Sequence, residues 1–152
     1  MMKIRKKTVN VNAAGALEEV RAVYAALAGR PMERQCTLST ECCQFKLTGR
    51  TPFLTRGEAL LAARGLRATG RKQMPARMDG ACPMLDSRTG RCLIYENRPF
   101  GCRTHFCRAA GGPIERRDVL DLIRRLETVD AQLGGDGPHP IADAVRLALE
   151  AL

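Results

Sequence analysis

The sequence predicts a small, helix-rich α+β fold with an irregular, cysteine-bearing centre and a short hairpin. Apolar residues recur at helical spacing in four stretches, seven cysteines concentrate in the middle of the chain, and turn-forming residues separate two short apolar runs there. The length of 152 residues suits one domain that covers residues 1–152. The 45% apolar content depends on Ala and Leu, with four Phe, two Tyr and no Trp, which favours helices with small contacts.

The first two predicted helices lie in the N-terminal half. The first covers about residues 13–28, where apolar residues share one face, Asn12 is a suitable N-cap, and Gly29-Arg30-Pro31 would end it. The second begins at Thr55-Arg56-Gly57-Glu58, which matches a capping box, and ends before Thr69-Gly70. The first group of cysteines lies between these two helices.

The predicted hairpin occupies residues 79–95. Its turn is Asp86-Ser87-Arg88-Thr89-Gly90, and the flanking runs Cys82-Pro83-Met84-Leu85 and Arg91-Cys92-Leu93-Ile94-Tyr95 are short and mostly apolar. Tyr95 is predicted to pack in the core. Arg98, which follows, is expected to bond local carbonyls or a sulfur atom, with an ion pair to an acidic neighbour as the alternative.

A helical pattern over about residues 113–152 is predicted to flank the cysteines on their C-terminal side. Pro113 would open it, and the turn-rich residues 134–140 would divide it into two helices. Asp121 and Arg125 are spaced as an i,i+4 ion pair. The apolar face of the first of these helices consists of Val119, Leu122, Ile123, Leu126, Val129 and Leu133.

The cysteines are the candidate metal ligands. They are Cys36, Cys42, Cys43, Cys82, Cys92, Cys102 and Cys107. The N-terminal residues do not match a secretory signal, so we expect a cytoplasmic protein, in which thiols stay reduced unless they are catalytic or bound to metal. A disulfide framework and inert buried thiols are the alternatives. Because thiolates are the ligands that zinc and iron-sulfur clusters prefer, we predict that a bound metal stabilises the fold.

The number of cysteines and the missing zinc knuckle slightly favour an iron-sulfur cluster over zinc. Seven thiols exceed what one structural zinc needs, and the C-x2-C knuckle of zinc ribbons is missing. Cys42 and Cys43 are adjacent and would point to opposite sides of an extended segment, so both bind one ion only where the chain turns sharply. His105 is a further candidate ligand, because imidazole serves both zinc and some iron-sulfur centres.

Four ordered elements of the sequence resemble the YkgJ-type cysteine-cluster family. They are Cys36-Thr-Leu-Ser39-Thr-Glu-Cys42-Cys43, Cys82-Pro83, Cys92-Leu-Ile-Tyr95 and Arg98-Pro99-Phe-Gly-Cys102-Arg103, within a cysteine region of about residues 36–107. The family is described as zinc- or iron-chelating. Ser39 stands where the family signature C-x2-C-x2-C-C has its second cysteine, so the resemblance implies that His105 or Cys107 replaces one ligand. The family includes flagellin lysine N-methylase-like proteins, which implies a redox or methyl-transfer enzyme component as one alternative function.

The net charge of +9 suggests another alternative function. Residues 50–78 contain seven basic residues and one acidic residue, and could contact nucleic acid or an acidic partner while the metal is only structural. Nucleic acid is not favoured, because the stacking aromatics of RNA-binding modules are missing. No apolar run approaches the length of a membrane span, so we expect no membrane contact. The sequence identifies neither a protein partner nor an oligomeric state.

Overall fold

The computed structural model describes residues 7–31, 43, 50–75, 77, 79–105 and 112–152, with side chains from residue 13 onward. The helices in these ranges are α1 (Lys7–Ala28), α2 (Arg56–Ala68), α3 (Phe100–Thr104), α4 (Leu120–Gln132) and α5 (Ile141–Ala151). Short 3₁₀ turns cover Tyr95–Asn97 and Arg116–Val119. Two two-residue strands, β1 (Phe53–Leu54) and β2 (His139–Pro140), pair in antiparallel orientation. The helix-rich prediction is confirmed.

The two N-terminal helices differ in how well the sequence predicts them. α2 has the predicted capping box at its start and ends at Ala68, followed by the C-cap Thr69 and by Gly70 at a φ of 90°. α1 begins at Lys7 instead of residue 13, so the predicted N-cap at Asn12 is wrong. The stretch Thr8 to Asn12 contains no Gly or Pro. Its Thr, Val and Asn residues have low helix propensities, which weaken a helix but do not end it.

The C-terminal prediction of helix over residues 113–152 is also corrected. The chain remains extended at Glu115, passes through the 3₁₀ turn, and enters α4 only at Leu120. Ile114 donates its N–H to the carbonyl of Thr104, at 2.8 Å, which holds this stretch against α3 instead of allowing a first helical turn. The predicted division of the region is confirmed, since α4 and α5 are separate helices.

Helices α1, α2, α4 and α5 form what we call the helical frame, and they share one apolar core. The frame residues that are no more than 1% exposed include Leu17, Val20, Val23, Leu61, Leu66, Leu122, Val129, Ile141 and Val145. α2 lies at the centre of the frame and contacts the other three helices. Its Gly57 allows close approach, because a Cβ there would lie 2.7 Å from Val129 and 2.8 Å from Val20. The frame contains no helix in its described residues that is long and apolar enough to cross a membrane.

Ion pairs join α1 to α4 across the surface of the frame. Arg125 donates from Nε to Glu19 Oε1 at 2.7 Å, and Arg30, just after α1, binds Asp121. The hydrogen bond from Arg30 holds the pKa of Asp121 below its usual value. The predicted pair between Asp121 and Arg125 is therefore wrong, because each of these side chains is bound by a partner from the α1 side of the frame.

A buried carboxylate connects the start of α2 to the loop between α4 and α5. Asp130, in the last turn of α4, is 5% exposed and accepts the N–H of Arg56 at 2.7 Å and that of Gly137 at 3.0 Å. Arg56 is the first residue of α2, so Asp130 caps this helix from another part of the chain. Beside it, Leu54 of β1 pairs with His139 of β2.

Candidate metal centre

Residues 79–105, which we call the cysteine segment, begin with the predicted hairpin. Leu85 and Cys92 form an antiparallel bridge, and the N–H of Leu93 binds the carbonyl of Met84 at 2.8 Å. Asp86 closes the turn by accepting the N–H of Arg88 and the hydroxyl of Thr89, each at 3.1 Å. The hairpin prediction is confirmed, and it fixes the positions of Cys82 and Cys92.

A backbone contact brings two predicted cysteine elements together. The N–H of Cys82 donates to the carbonyl of Cys43 at 2.7 Å. Cys82 is buried, and Cys43 is half-buried. Cys43 therefore lies against the start of the hairpin, although helix α2 separates the two in the sequence.

Arg77 lies within electrostatic range of these two cysteines. Its guanidinium binds both carboxylate oxygens of Asp79, at 2.7 and 3.0 Å, and also donates to the carbonyl of Leu85 in the hairpin. The bonds from Arg77 lower the pKa of Asp79 to about 2. The pKa of Arg77 is raised, mainly by Asp79 and further by Cys82 and Cys43. A cation therefore lies within electrostatic reach of both thiols, where it would offset the negative charge of a metal-thiolate centre.

Cys102 lies in α3, at the other end of the cysteine segment. Its N–H donates to the carbonyl of Pro99 at 3.0 Å, and the Pro99 side chain is fully buried. The neighbouring Arg103 binds the carbonyls of Arg98, at 2.7 Å, and Glu96, at 2.8 Å. These contacts fix the backbone on both sides of Cys102.

The side chains of Arg98 and Tyr95 form a second local contact. Arg98 donates from Nε to the carbonyl of Tyr95 at 2.9 Å, which confirms the predicted bond to a local carbonyl. The guanidinium also lies 3.9 Å from the centre of the Tyr95 ring. Tyr95 is 37% exposed, so the prediction that it packs in the core is wrong. The ring instead covers the Arg98 side chain at the surface.

Glu58, which the sequence identifies only as a capping-box residue, also binds the cysteine segment. Glu58 is only 2% exposed. One of its carboxylate oxygens, Oε2, accepts the N–H and the hydroxyl of Thr55 at 3.0 and 2.9 Å. The other, Oε1, accepts the N–H of Phe100 at 2.7 Å and the hydroxyl of Tyr24 at 3.3 Å. Burial raises the pKa of Glu58, and the four hydrogen bonds oppose this effect. The only sequence signal for the residue was its capping-box position.

His105 follows α3 and lies in a cleft next to Cys102. The cleft has a volume of about 220 Å³, and its lining includes Arg50, Pro52 and Ile114. The His105 Nδ1 atom is 3.5 Å from Nη1 of Arg50. An arginine can only donate, so Nδ1 is the acceptor in this contact. The assignment of His105 as a ligand remains a prediction.

The remaining predicted ligands, Cys36, Cys42 and Cys107, lie outside the described residues. Within the described part of the chain, no three Cys, His, Asp or Glu side chains are grouped so that they could hold a metal ion. The thiols there have the donor chemistry that zinc and iron clusters require. The described cysteines therefore fit part of a ligand set, and the assignment of each ligand stays a prediction.

The basic segment of residues 50–78 has mixed roles. Arg64, Arg67 and Lys72 are exposed. Arg77 is engaged by Asp79 and Leu85, and the backbone of Arg56 is bound by Asp130. The segment therefore contributes contacts to the fold as well as surface charge, and its binding to nucleic acid or an acidic partner remains a prediction.

Comparison with protein families identifies the cysteine region. The model of the CxxCxxCC family, described as "Putative zinc- or iron-chelating domain", matches residues 35–123. No curated protein and no solved structure matches the chain. The matched range contains all seven cysteines, the hairpin and α3, and it covers more than half of the sequence. The chain therefore belongs to the CxxCxxCC family of zinc- or iron-chelating domains.

Proposed function

We propose that this protein binds metal through its cysteine cluster, and that the bound group is an iron-sulfur cluster, with zinc as the alternative. The observation that carries the proposal is the 2.7 Å hydrogen bond between the backbones of Cys82 and Cys43. This contact brings together two cysteine elements that are distant in sequence, as a metal centre shared by their thiols requires. Membership of a chelating family supports the same function.

The residues that would hold the group are the seven cysteines, with His105 as a further candidate. An iron-sulfur cluster would supply electron transfer, whereas zinc would supply structural stability. The chain itself contributes fixed backbone geometry at Cys82, Cys92 and Cys102. The cations Arg77 and Arg103 lie within electrostatic range of Cys82 and Cys102 and would offset thiolate charge.

The proposal places the protein in a reducing compartment such as the cytoplasm. Thiolates bind metal only while they are reduced, and oxidising compartments convert clustered thiols to disulfides. Purification without oxygen is therefore part of the test.

The experiment is elemental analysis, assay of acid-labile sulfide and an optical spectrum on protein purified without oxygen. Iron with labile sulfide and broad visible absorbance would support the cluster. Zinc without colour would support the alternative and make the centre structural. If neither metal remains bound, even after reconstitution with ferrous iron and sulfide or with zinc, the proposed function is wrong.

A further inference from the structure

We propose that Glu58 is a positioning residue for Cys102, an inference that rests on the proposed metal centre. Glu58 belongs to α2 in the helical frame, whereas Cys102 belongs to the cysteine segment. A carboxylate that joins these two regions can set the place of a ligand without touching the metal. The contacts around Glu58 support this role in two independent ways.

The first contact is direct and lies two residues before the cysteine. Glu58 Oε1 accepts the N–H of Phe100 at 2.7 Å, across 42 positions of the sequence. Phe100 begins α3, and an N–H at the start of a helix has no acceptor inside that helix. Cys102 and Arg103 both donate their N–H groups to the carbonyl of Pro99, at 3.0 and 3.2 Å, so they belong to the same turn. Holding Phe100 in place therefore holds the backbone of Cys102.

The second contact reaches the other side of Cys102 through an aromatic ring. The hydroxyl of Tyr24 donates to the same Oε1 at 3.3 Å. The guanidinium of Arg103 lies 4.1 Å from the centre of the Tyr24 ring and binds the carbonyl of Arg98. Glu58 is therefore connected to the residues on both sides of Cys102, to Phe100 directly and to Arg103 through Tyr24.

Both carboxylate oxygens of the buried Glu58 must act as hydrogen-bond acceptors. Oε2 faces the N–H of Thr55 and Oε1 faces the N–H of Phe100, and both backbone donors are fixed in direction. A glutamine has one acceptor oxygen and one NH₂ group, so Glu58→Gln must leave one of these N–H groups facing another donor. The substitution keeps the size of the side chain and removes the double connection.

The test compares Glu58→Gln with Asp130→Asn, a matched change at a second buried carboxylate. Asp130 also accepts an N–H at the start of α2, from Arg56, but its other side-chain contact is with Gly137 and not with the cysteine segment. The probe is cobalt(II), because its thiolate charge-transfer absorbance per bound ion reports the number of sulfur ligands. Affinity comes from the same titration, and thermal melting of each variant reports stability separately.

We expect Glu58→Gln to lower the charge-transfer absorbance per bound cobalt and to weaken cobalt binding by about 10- to 100-fold, the range typical for residues that orient a ligand. Cys102→Ser should show the same spectral loss, and the double variant should lose no more than Cys102→Ser alone. Asp130→Asn should lower the melting temperature and leave the spectrum unchanged. Equal spectra and affinities for Glu58→Gln and the wild type would overturn the inference.

Tyr24→Phe keeps the test decisive where Glu58→Gln does not fold. It removes the hydroxyl bond to Glu58 and keeps the ring under Arg103, so a smaller loss of cobalt affinity in the same direction is expected. An unchanged affinity in that variant would overturn the inference. Where the wild type takes up iron and sulfide instead of cobalt, the same variants are compared by their iron and sulfide content. A wild-type chain that binds neither cobalt through thiolates nor iron with sulfide overturns the proposed function as well, whereas normal wild-type binding with an unaffected Glu58→Gln variant overturns only the role of Glu58.

Discussion

The helical frame and the cysteine segment are held together by different interactions. In the frame, leucine and valine side chains are almost fully buried, and the backbone bonds are those of regular helices. In the cysteine segment, arginine and carboxylate side chains bind backbone groups that short turns leave without partners. Buried backbone groups must be paired in either case. The comparison indicates that the frame depends on apolar area. The cysteine segment combines side chains buried in the same core, such as Met84 and Ile94, with polar contacts to its backbone and, under the proposed function, a bound metal.

The largest expected effect comes from Cys82→Ser in the cysteine segment. We expect metal affinity to fall by more than about 100-fold, beyond the loss typical when only a neighbour of a ligand is changed. The melting temperature of the metal-loaded protein should fall to that of the metal-free protein, because metal-binding free energy is partly folding free energy. Metal analysis and melting with and without a chelator measure both quantities.

The control for this prediction is Ala81→Ser. It adds a hydroxyl at the adjacent buried position and removes no thiol. It should keep the metal content of the wild type. Equal metal content in Cys82→Ser and Ala81→Ser would show that Cys82 is not a ligand.

The second-largest effect is expected for Leu122→Ala, which changes the frame alone. Leu122 is 1% exposed, and truncating such a side chain removes apolar contacts and leaves a cavity, at a loss of about 2 to 5 kcal/mol in unfolding free energy. Chemical denaturation of the metal-free protein measures this loss. Leu147→Ala, at a residue that is 51% exposed, should change stability by less than about 0.5 kcal/mol. If Leu122→Ala also abolished metal binding while the protein stayed folded, the two regions would not be separable.

Gly65→Ala tests the contact between the two regions. A Cβ at Gly65 of α2 would lie 2.6 Å from Nδ2 of Asn97 and 3.3 Å from its Cβ, so the Asn97 side chain, in the 3₁₀ turn before Cys102, must move. We expect the free energy of unfolding to fall by about 1 kcal/mol, because the cost of overpacking is larger than the stabilisation from the higher helix propensity of Ala. Gly15→Ala in α1, where nothing lies within 4 Å of the added Cβ, should instead stabilise by about 0.5 to 1 kcal/mol. Equal effects of the two variants in denaturation experiments would contradict the close contact.

The smallest effect concerns an exposed ion pair near β2. His139 Nε2 and Asp136 Oδ1 are 2.6 Å apart, and their hydrogen bond raises the pKa of His139 above 6.5 and lowers that of Asp136 below 3.8. The pair stabilises the fold where both groups are charged, between about pH 4 and about pH 7. Its contribution is lost as pH falls through the pKa of Asp136 and as pH rises through that of His139. Melting of wild type and His139→Gln over this pH range should differ most near the middle, and a constant difference would exclude the pair.

The sequence predicted the parts of the fold that local patterns determine. The capping box at Thr55, the turn at Asp86–Gly90 and the buried face of α4 all depend on residues that are close in sequence, and all are confirmed. The bounds of α1 and α4 were less predictable. At α4 the reason is a tertiary contact: the N–H of Ile114 binds the carbonyl of Thr104, so the helix begins later than predicted.

Long-range polar contacts were beyond prediction for a physical reason. A capping-box glutamate has two oxygens, and the local pattern accounts for the one that binds Thr55 but says nothing about the one that binds Phe100. Asp121 and Arg125 have ideal helical spacing, yet both bind partners from the α1 side. A sequence shows which charges are available for pairing, whereas the packing of the helices decides which of them meet.

The pairing of β1 with β2 has a consequence for the entropy of the chain. Because Leu54 lies beside His139, the residues between them form a loop whose ends are already joined, and this loop contains Cys82, Cys92 and Cys102. The entropy lost on closing a loop grows with its length, so part of that loss occurs when the strands pair. A metal that binds Cys82, Cys92 and Cys102 then needs to order only the shorter connections between these three cysteines, whereas Cys43 precedes β1 and lies outside the loop. The two-residue sheet thus acts as a non-covalent cross-link, comparable to a disulfide bond in a protein of an oxidising compartment.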